Sequence, residues 1–101
     1  MVAPHNRARG EVLLQIDGRN VCLCLTLGVL AELEAAFDVI SLSQLAERLA
    51  HLSAADIAIV VTALAKGGGA TLSAAEICAA RIDPRAAAAA VAEAFRLALN
   101  D

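Results

Sequence analysis

Two short, mostly apolar segments near the start of the chain are separated by four residues that are polar or glycine. The segments EVLLQI and VCLCL flank DGRN, and Asp17-Gly18 is a dipeptide typical of tight hairpin turns. Because a period of two places successive side chains on opposite faces of a strand, the pattern predicts an antiparallel β-hairpin that starts near Gly10. Two strands alone are marginally stable, so we expect the hairpin to pack against the segments that follow it.

A helical period follows the hairpin at once. Thr26 can cap a first helix over residues 27–37. Its predicted core stripe, with apolar residues three or four positions apart, consists of Leu27, Leu30, Leu33 and Phe37. Gly28, in the first turn, leaves room for a strand or a partner's backbone to approach closely.

Capping signals place the remaining helices. We predict helices over about 42–50 and 53–66, a short one from 73, and a last one from Pro84 towards the C-terminus. Three consecutive glycines after Lys66 end the third helix and can act as a hinge. The predicted fold is therefore α+β, with an N-terminal β-hairpin packed against a bundle of four to five short helices. Residues 1–9 are expected to be a disordered tail, and 10–101 a single domain.

Composition limits how stable such a domain can be. Of the 101 residues, 59% are apolar, but 25 are alanine and only two are aromatic. The core must therefore rely on Leu, Ile and Val, at about 1.5–3 kcal/mol for each fully buried side chain. We expect modest stability that a partner can increase.

Charge and cysteine content exclude several functions. A net charge of −3 and a pI near 5.2 do not favour non-specific binding to nucleic acid. No apolar stretch approaches the ~20 residues of a membrane span, and the N-terminus does not have the pattern of a secretory signal, so a cytoplasmic location is expected. Cys22 and Cys24 share one face of the second strand, and we interpret them as small hydrophobes rather than metal ligands.

No residue pattern points to catalysis. Glu47 and His51 are one helical turn apart, which is typical of a surface contact. The glycine run lacks the following Lys and Ser or Thr of a phosphate-binding loop. We therefore expect no enzymatic activity and no cofactor.

Three carboxylates on the first helix and just beyond it are the more informative feature. Glu32, Glu34 and Asp38 can form a solvated face or a contact surface for basic residues of another protein. Our candidate partner-binding residues are Gly28 and these three carboxylates, with Cys22 and Cys24 on the adjoining hairpin face.

The segment Arg9–Val39 resembles the small tail proteins of gene transfer agents and related phage-like particles. The resemblance lies in Arg9-Gly10-Glu11-Val12, the Asp17-Gly18 turn, Leu25-Thr26-Leu27-Gly28 and Leu30-Ala31-Glu32-Leu33-Glu34. It extends loosely over the second helix, the glycine run and the short helix that follows. Val29 and the alanine-rich C-terminal helix depart from the family's pattern.

This resemblance implies a non-enzymatic role in building a tail, with a location in the bacterial cytoplasm or on the particles. A tail assembly chaperone would bind the long, helical tape measure protein, and other tail proteins, before tube subunits polymerise. A structural tail tube or tail-completion subunit is one alternative, and a regulatory adaptor unrelated to particles is another. Self-association is left open, and neither nucleic acid nor membrane is expected as a partner.

Overall fold

Two strands precede five helices in the computed structural model of the chain, which describes residues 10–99. The elements are β1 (Glu11–Ile16), β2 (Arg19–Cys24), α1 (Leu27–Ala36), α2 (Leu42–Leu49), α3 (Ala54–Gly67), α4 (Ala74–Ala79) and α5 (Pro84–Leu99). This arrangement confirms the predicted α+β class and the hairpin followed by helices. The predicted disordered tail, residues 1–9, lies outside the described residues.

The hairpin turns at the two predicted residues. Asp17 and Gly18 have φ of 54° and 78°, the paired positive values of a type I′ turn, and Ile16 pairs with Arg19 across it. The backbone N–H of Arg81 donates to the Asp17 carboxylate at 2.7 Å, and the Asp17 N–H donates to the Arg81 carbonyl oxygen at 3.0 Å. The loop before α5 therefore holds the tip of the hairpin against the helices.

One face of the hairpin and one helix supply the centre of the core. Val12, Leu14 and Ile16 of β1 are buried, as their alternation predicts. The α3 helix contacts β2, α1, α4 and α5, and its buried residues are Val60, Val61, Ala63, Leu64 and Ala65. A central helix of this kind agrees with its mostly apolar sequence.

The α1 helix buries a different stripe from the predicted one. Val29 and Leu33 are its buried residues, Leu30 and Phe37 are partly buried, and Leu27 is 83% exposed. The prediction for Leu27 was wrong, because Leu27 lies about 160° around the helix axis from Val29 at 3.6 residues per turn.

The end of α3 packs against the outer edge of β2. A Cβ placed on Gly67 would overlap the carbonyl oxygen of Cys24, and one on Gly68 would overlap that of Cys22. Gly69 then has φ of 98°, and the Ala70 N–H reaches back to Ala65 at 2.9 Å, which closes a Schellman motif. The glycine run thus ends the helix, as predicted, and also permits a close approach that the sequence did not reveal.

Candidate protein-interaction surface

The two candidate cysteines lie on the outer face of the hairpin, away from the core stripe of β1. Cys22 pairs with Leu13 and Cys24 with Glu11, so these four residues share a face. Both cysteines are half-buried, and the α3 C-terminus lies against their backbone. Within residues 10–99, no group of three or more His, Cys, Asp or Glu residues is placed to hold a metal ion.

Gly28 is exposed in the first turn of α1. Thr26 caps this turn by accepting the Val29 N–H at 3.1 Å. A Cβ on Gly28 would have the Thr26 hydroxyl oxygen, at 3.9 Å, as its only neighbour within 4 Å among residues 10–99. The close approach predicted for Gly28 is therefore not made by the described part of this chain, and the space beside it is open to a partner.

Glu32 is engaged within the chain. The Lys66 ammonium lies 3.3 Å from its carboxylate, which links α1 to the C-terminal turn of α3. Both side chains are well exposed, so this ion pair adds little stability. A basic partner would have to compete with Lys66 for Glu32.

Glu34 and Asp38 are four positions apart in sequence but do not lie on one helix, because α1 ends at Ala36. Asp38 has φ of 55° and occupies the left-handed position after the helix, while the Val39 N–H bonds the Glu34 carbonyl oxygen at 3.0 Å. This is the geometry of a Schellman motif, in which Asp is tolerated without being preferred. Asp38 thus has a local structural role, and its exposed carboxylate faces solvent.

Two apolar residues at the ends of the α1 segment are exposed, and sequence reasoning missed both. Leu27 is 83% exposed and Ile40 is 87% exposed. Ile40 is held by a hydrogen bond from its backbone N–H to the Gln44 side chain at 2.9 Å. No local signal marked either residue, since an apolar residue just before a cap, such as Ile40 before Ser41, often packs against the helix instead.

Two adjoining apolar depressions lie on the helical side of the molecule. One, of about 310 Å³, lies between α3, α4 and the start of α5, and the other, of about 480 Å³, between α2, α3 and α5. Ile57 lines both, and the far wall of the second is formed by Val91 and Phe95. Alanines line much of both depressions, because the alanine-rich sequence leaves shallow gaps between helices.

Arg48 joins three elements beside the second depression. Its guanidinium lies 2.7 Å from the Asp56 carboxylate and stacks 4.9 Å from the centre of the Phe37 ring, and it donates to the His51 carbonyl oxygen at 3.0 Å. The backbone N–H of Ser53, followed by Arg48, lowers the pKa of Asp56. In α4, the Ser73 N–H and hydroxyl likewise lower the pKa of Glu76. Both carboxylates accept a hydrogen bond from the backbone N–H of their capping serine, and this capping role explains why their pKa values are lowered.

A family model described as phage tail tube protein, GTA-gp10, matches residues 9–101. The chain belongs to this family. No curated protein and no solved structure matches the chain.

Membership makes this chain a protein of phage-like tails, of the kind that gene transfer agents carry. The family description is that of a structural protein of the tail. The family description names a tail tube protein and does not name an assembly chaperone. Among residues 10–99, no helix is long and apolar enough to cross a bilayer.

Proposed function

We propose that this chain is a structural subunit of the tail tube in a phage-like particle. The observation that carries the proposal is the family match, which spans residues 9–101 and so covers the hairpin and all five helices. A subunit of this kind works by binding its neighbours, and the exposed Leu27 and Ile40 are apolar positions suited to such contacts.

The test is the copy number of the chain in purified particles. Particles are isolated from producing cells by density gradient, and each tail protein is quantified by mass spectrometry against labelled peptides. A tube subunit should be present in many copies, in fixed ratio to the particle. Its absence from intact particles would contradict the proposal.

The assembly chaperone is the second candidate, and the apolar depressions along α3 and α5 favour it. Amphipathic helices bind in grooves lined by apolar side chains, and a tape measure protein is rich in such helices. A chaperone would co-purify with the tape measure protein before assembly and be missing from finished particles. Affinity capture from cells blocked in tube assembly therefore separates the two candidates.

The partner surface that we propose for the tube subunit is the outer side of α1 with the adjoining hairpin face. It comprises Gly28, Glu32, Glu34, Asp38, Cys22 and Cys24. Glu34→Lys tests it, because Glu34 makes none of the ion pairs recorded among residues 10–99 and its replacement should leave the fold intact. Partner capture should fall with Glu34→Lys and persist with Glu47→Lys on α2, an exposed acidic control. Equal capture by both variants would exclude this surface.

A further inference from the structure

The two outer edges of the hairpin are not equivalent. The edge of β2 is closed, because Gly67 and Gly68 lie directly against the carbonyl groups of Cys24 and Cys22. A strand of another chain that paired with β2 would have to occupy the same space. Sheet pairing with another chain is therefore restricted to the β1 edge.

The register of the hairpin shows which backbone N–H and C=O groups of β1 can bond to a further strand. Ile16 and Arg19 flank a type I′ turn and so form a hydrogen-bonded pair, and hydrogen-bonded pairs alternate along an antiparallel ladder. The N–H and C=O groups of Leu13 and Gln15 consequently point away from β2. Among residues 10–99, no backbone hydrogen bond outside the hairpin involves either residue. A row of such groups is a template for another strand.

We propose that the strand added at this edge is β1 of a second copy of the chain, antiparallel and related by a twofold axis at Leu13. In this register Leu13 lies opposite Leu13, Val12 opposite Leu14, and Glu11 opposite Gln15. The inference stands on the hairpin alone and does not depend on the tail function.

The sequence of β1 is complementary to itself in this register. Centring the pair on Leu13 engages residues 11–15 of both strands. A centre on Leu14 engages residues 12–16 but brings Glu11 opposite Asp17, and the other centres leave more of the strand unpaired. A register that brought Glu11 opposite Glu11 would place like charges together, which is unfavourable. With Leu13 at the centre, each Glu11 instead faces a neutral Gln15.

The resulting assembly closes at two copies. The twofold axis is perpendicular to the sheet, so the order becomes β2–β1–β1–β2 and both helical layers lie on the same side. Each outer edge is then a β2 edge covered by the end of α3. A twofold contact that uses the same patch on both copies leaves no edge for a further strand, so sheet pairing by itself stops at two copies.

Charge at position 15 tests the register. Within the chain, Gln15 lies opposite Asn20, which is uncharged. A new charge at position 15 therefore acts mainly on Glu11 of the other copy, twice in each dimer. Gln15→Lys should lower the dimer dissociation constant and Gln15→Glu should raise it, each by roughly twofold to thirtyfold at low salt.

The measurement is sedimentation equilibrium of the full chain over a range of concentrations, with circular dichroism to verify folding. Asn20→Lys and Asn20→Glu place the same charges on β2, farther from the edge, and should change the constant much less. The double variant Glu11→Lys/Gln15→Glu restores opposite charges and should dimerise like Gln15→Lys. High salt should reduce all these differences.

Leu13→Pro provides a test independent of charge. Proline removes the outward-pointing N–H of residue 13 and leaves the ladder with β2 intact, so a folded monomer is expected. A folded Leu13→Pro dimer overturns the proposal. A wild-type chain that remains monomeric at every concentration also overturns it. So does a dimer whose dissociation constant is unchanged by the charge at position 15. If Leu13→Pro fails to fold, the position 15 series alone decides.

Discussion

Replacement of Gly68 by alanine tests the contact that closes the β2 edge. The added Cβ would overlap the carbonyl group of Cys22, and both atoms of that group belong to backbone that cannot rotate away. Overpacking of this kind lowers the free energy of unfolding by about 1–3 kcal/mol. The replacement of glycine by alanine also reduces the conformational entropy of the unfolded chain, which raises the free energy of unfolding by only about 0.4–1 kcal/mol. Since the φ of Gly68 is −88°, which alanine adopts readily, the loss is steric. We expect a net loss of about 1–2 kcal/mol.

Urea unfolding followed by circular dichroism measures this loss. With an m value of about 1–3 kcal/mol/M, the midpoint should fall by roughly 0.5–1 M. Gly28→Ala is the matched control, because its Cβ meets open space on an exposed helix and should raise stability by about 0.5–1 kcal/mol. Equal midpoints for Gly68→Ala and the wild type would refute the packing of α3 against β2.

Three further predictions address the helices. Leu27→Ser should leave stability nearly unchanged, whereas Leu33→Ala should cost about 2–5 kcal/mol because Leu33 is 1% exposed; the two urea midpoints measure the difference. Asp38→Gly should raise Tm, because glycine adopts the positive φ of this position with about 1 kcal/mol less strain, and an unchanged Tm would argue against the left-handed conformation. The native pKa values of Asp56 and Glu76 lie below their ordinary values of 3.8 and 4.5, so their contribution is complete above those values and is lost as pH falls through the native pKa. Asp56→Asn and Glu76→Gln should therefore flatten the fall in stability below about pH 5, as measured by urea midpoints at several pH values.

Local chemistry made much of the fold predictable. The Asp17-Gly18 turn and the Ser53 and Ser73 capping boxes depend on residues within four positions of each other, and all three form as their sequences indicate. The alternation along β1 placed Val12, Leu14 and Ile16 in the core because a strand has only two faces.

Contacts between distant segments were not predictable in the same way. Leu27 fits the helical spacing, but Val29 is buried in the core instead. The direction in which α1 leaves β2 decides which side of the helix faces the core. The glycine run was read as a helix terminator, which it is. Its second role depends on β2, more than 40 positions earlier in the chain, and no local pattern reports that contact.

The candidate surface shows the same limit. Glu32, Glu34 and Asp38 look alike in sequence, yet the fold gives each a different situation. Glu32 pairs with Lys66, Glu34 is half-buried, and Asp38 ends α1 in a left-handed conformation. Only the three-dimensional arrangement separates a carboxylate that a partner can bind from one that the fold already uses.

The closed β2 edge also restricts how a tail tube could be built from this subunit. A tube wall with a continuous sheet requires two open and complementary edges on every copy, because each subunit pairs with a neighbour on both sides. This hairpin has one, since Gly67 and Gly68 occupy the space beside β2. A ring of these subunits would therefore need side-chain contacts for at least half of its interfaces, and we propose the exposed Leu27 and Ile40 for such contacts. Charged substitutions at Leu27 and Ile40 should then reduce incorporation into particles without unfolding the chain, whereas a chaperone that binds helices along α3 and α5 would tolerate them.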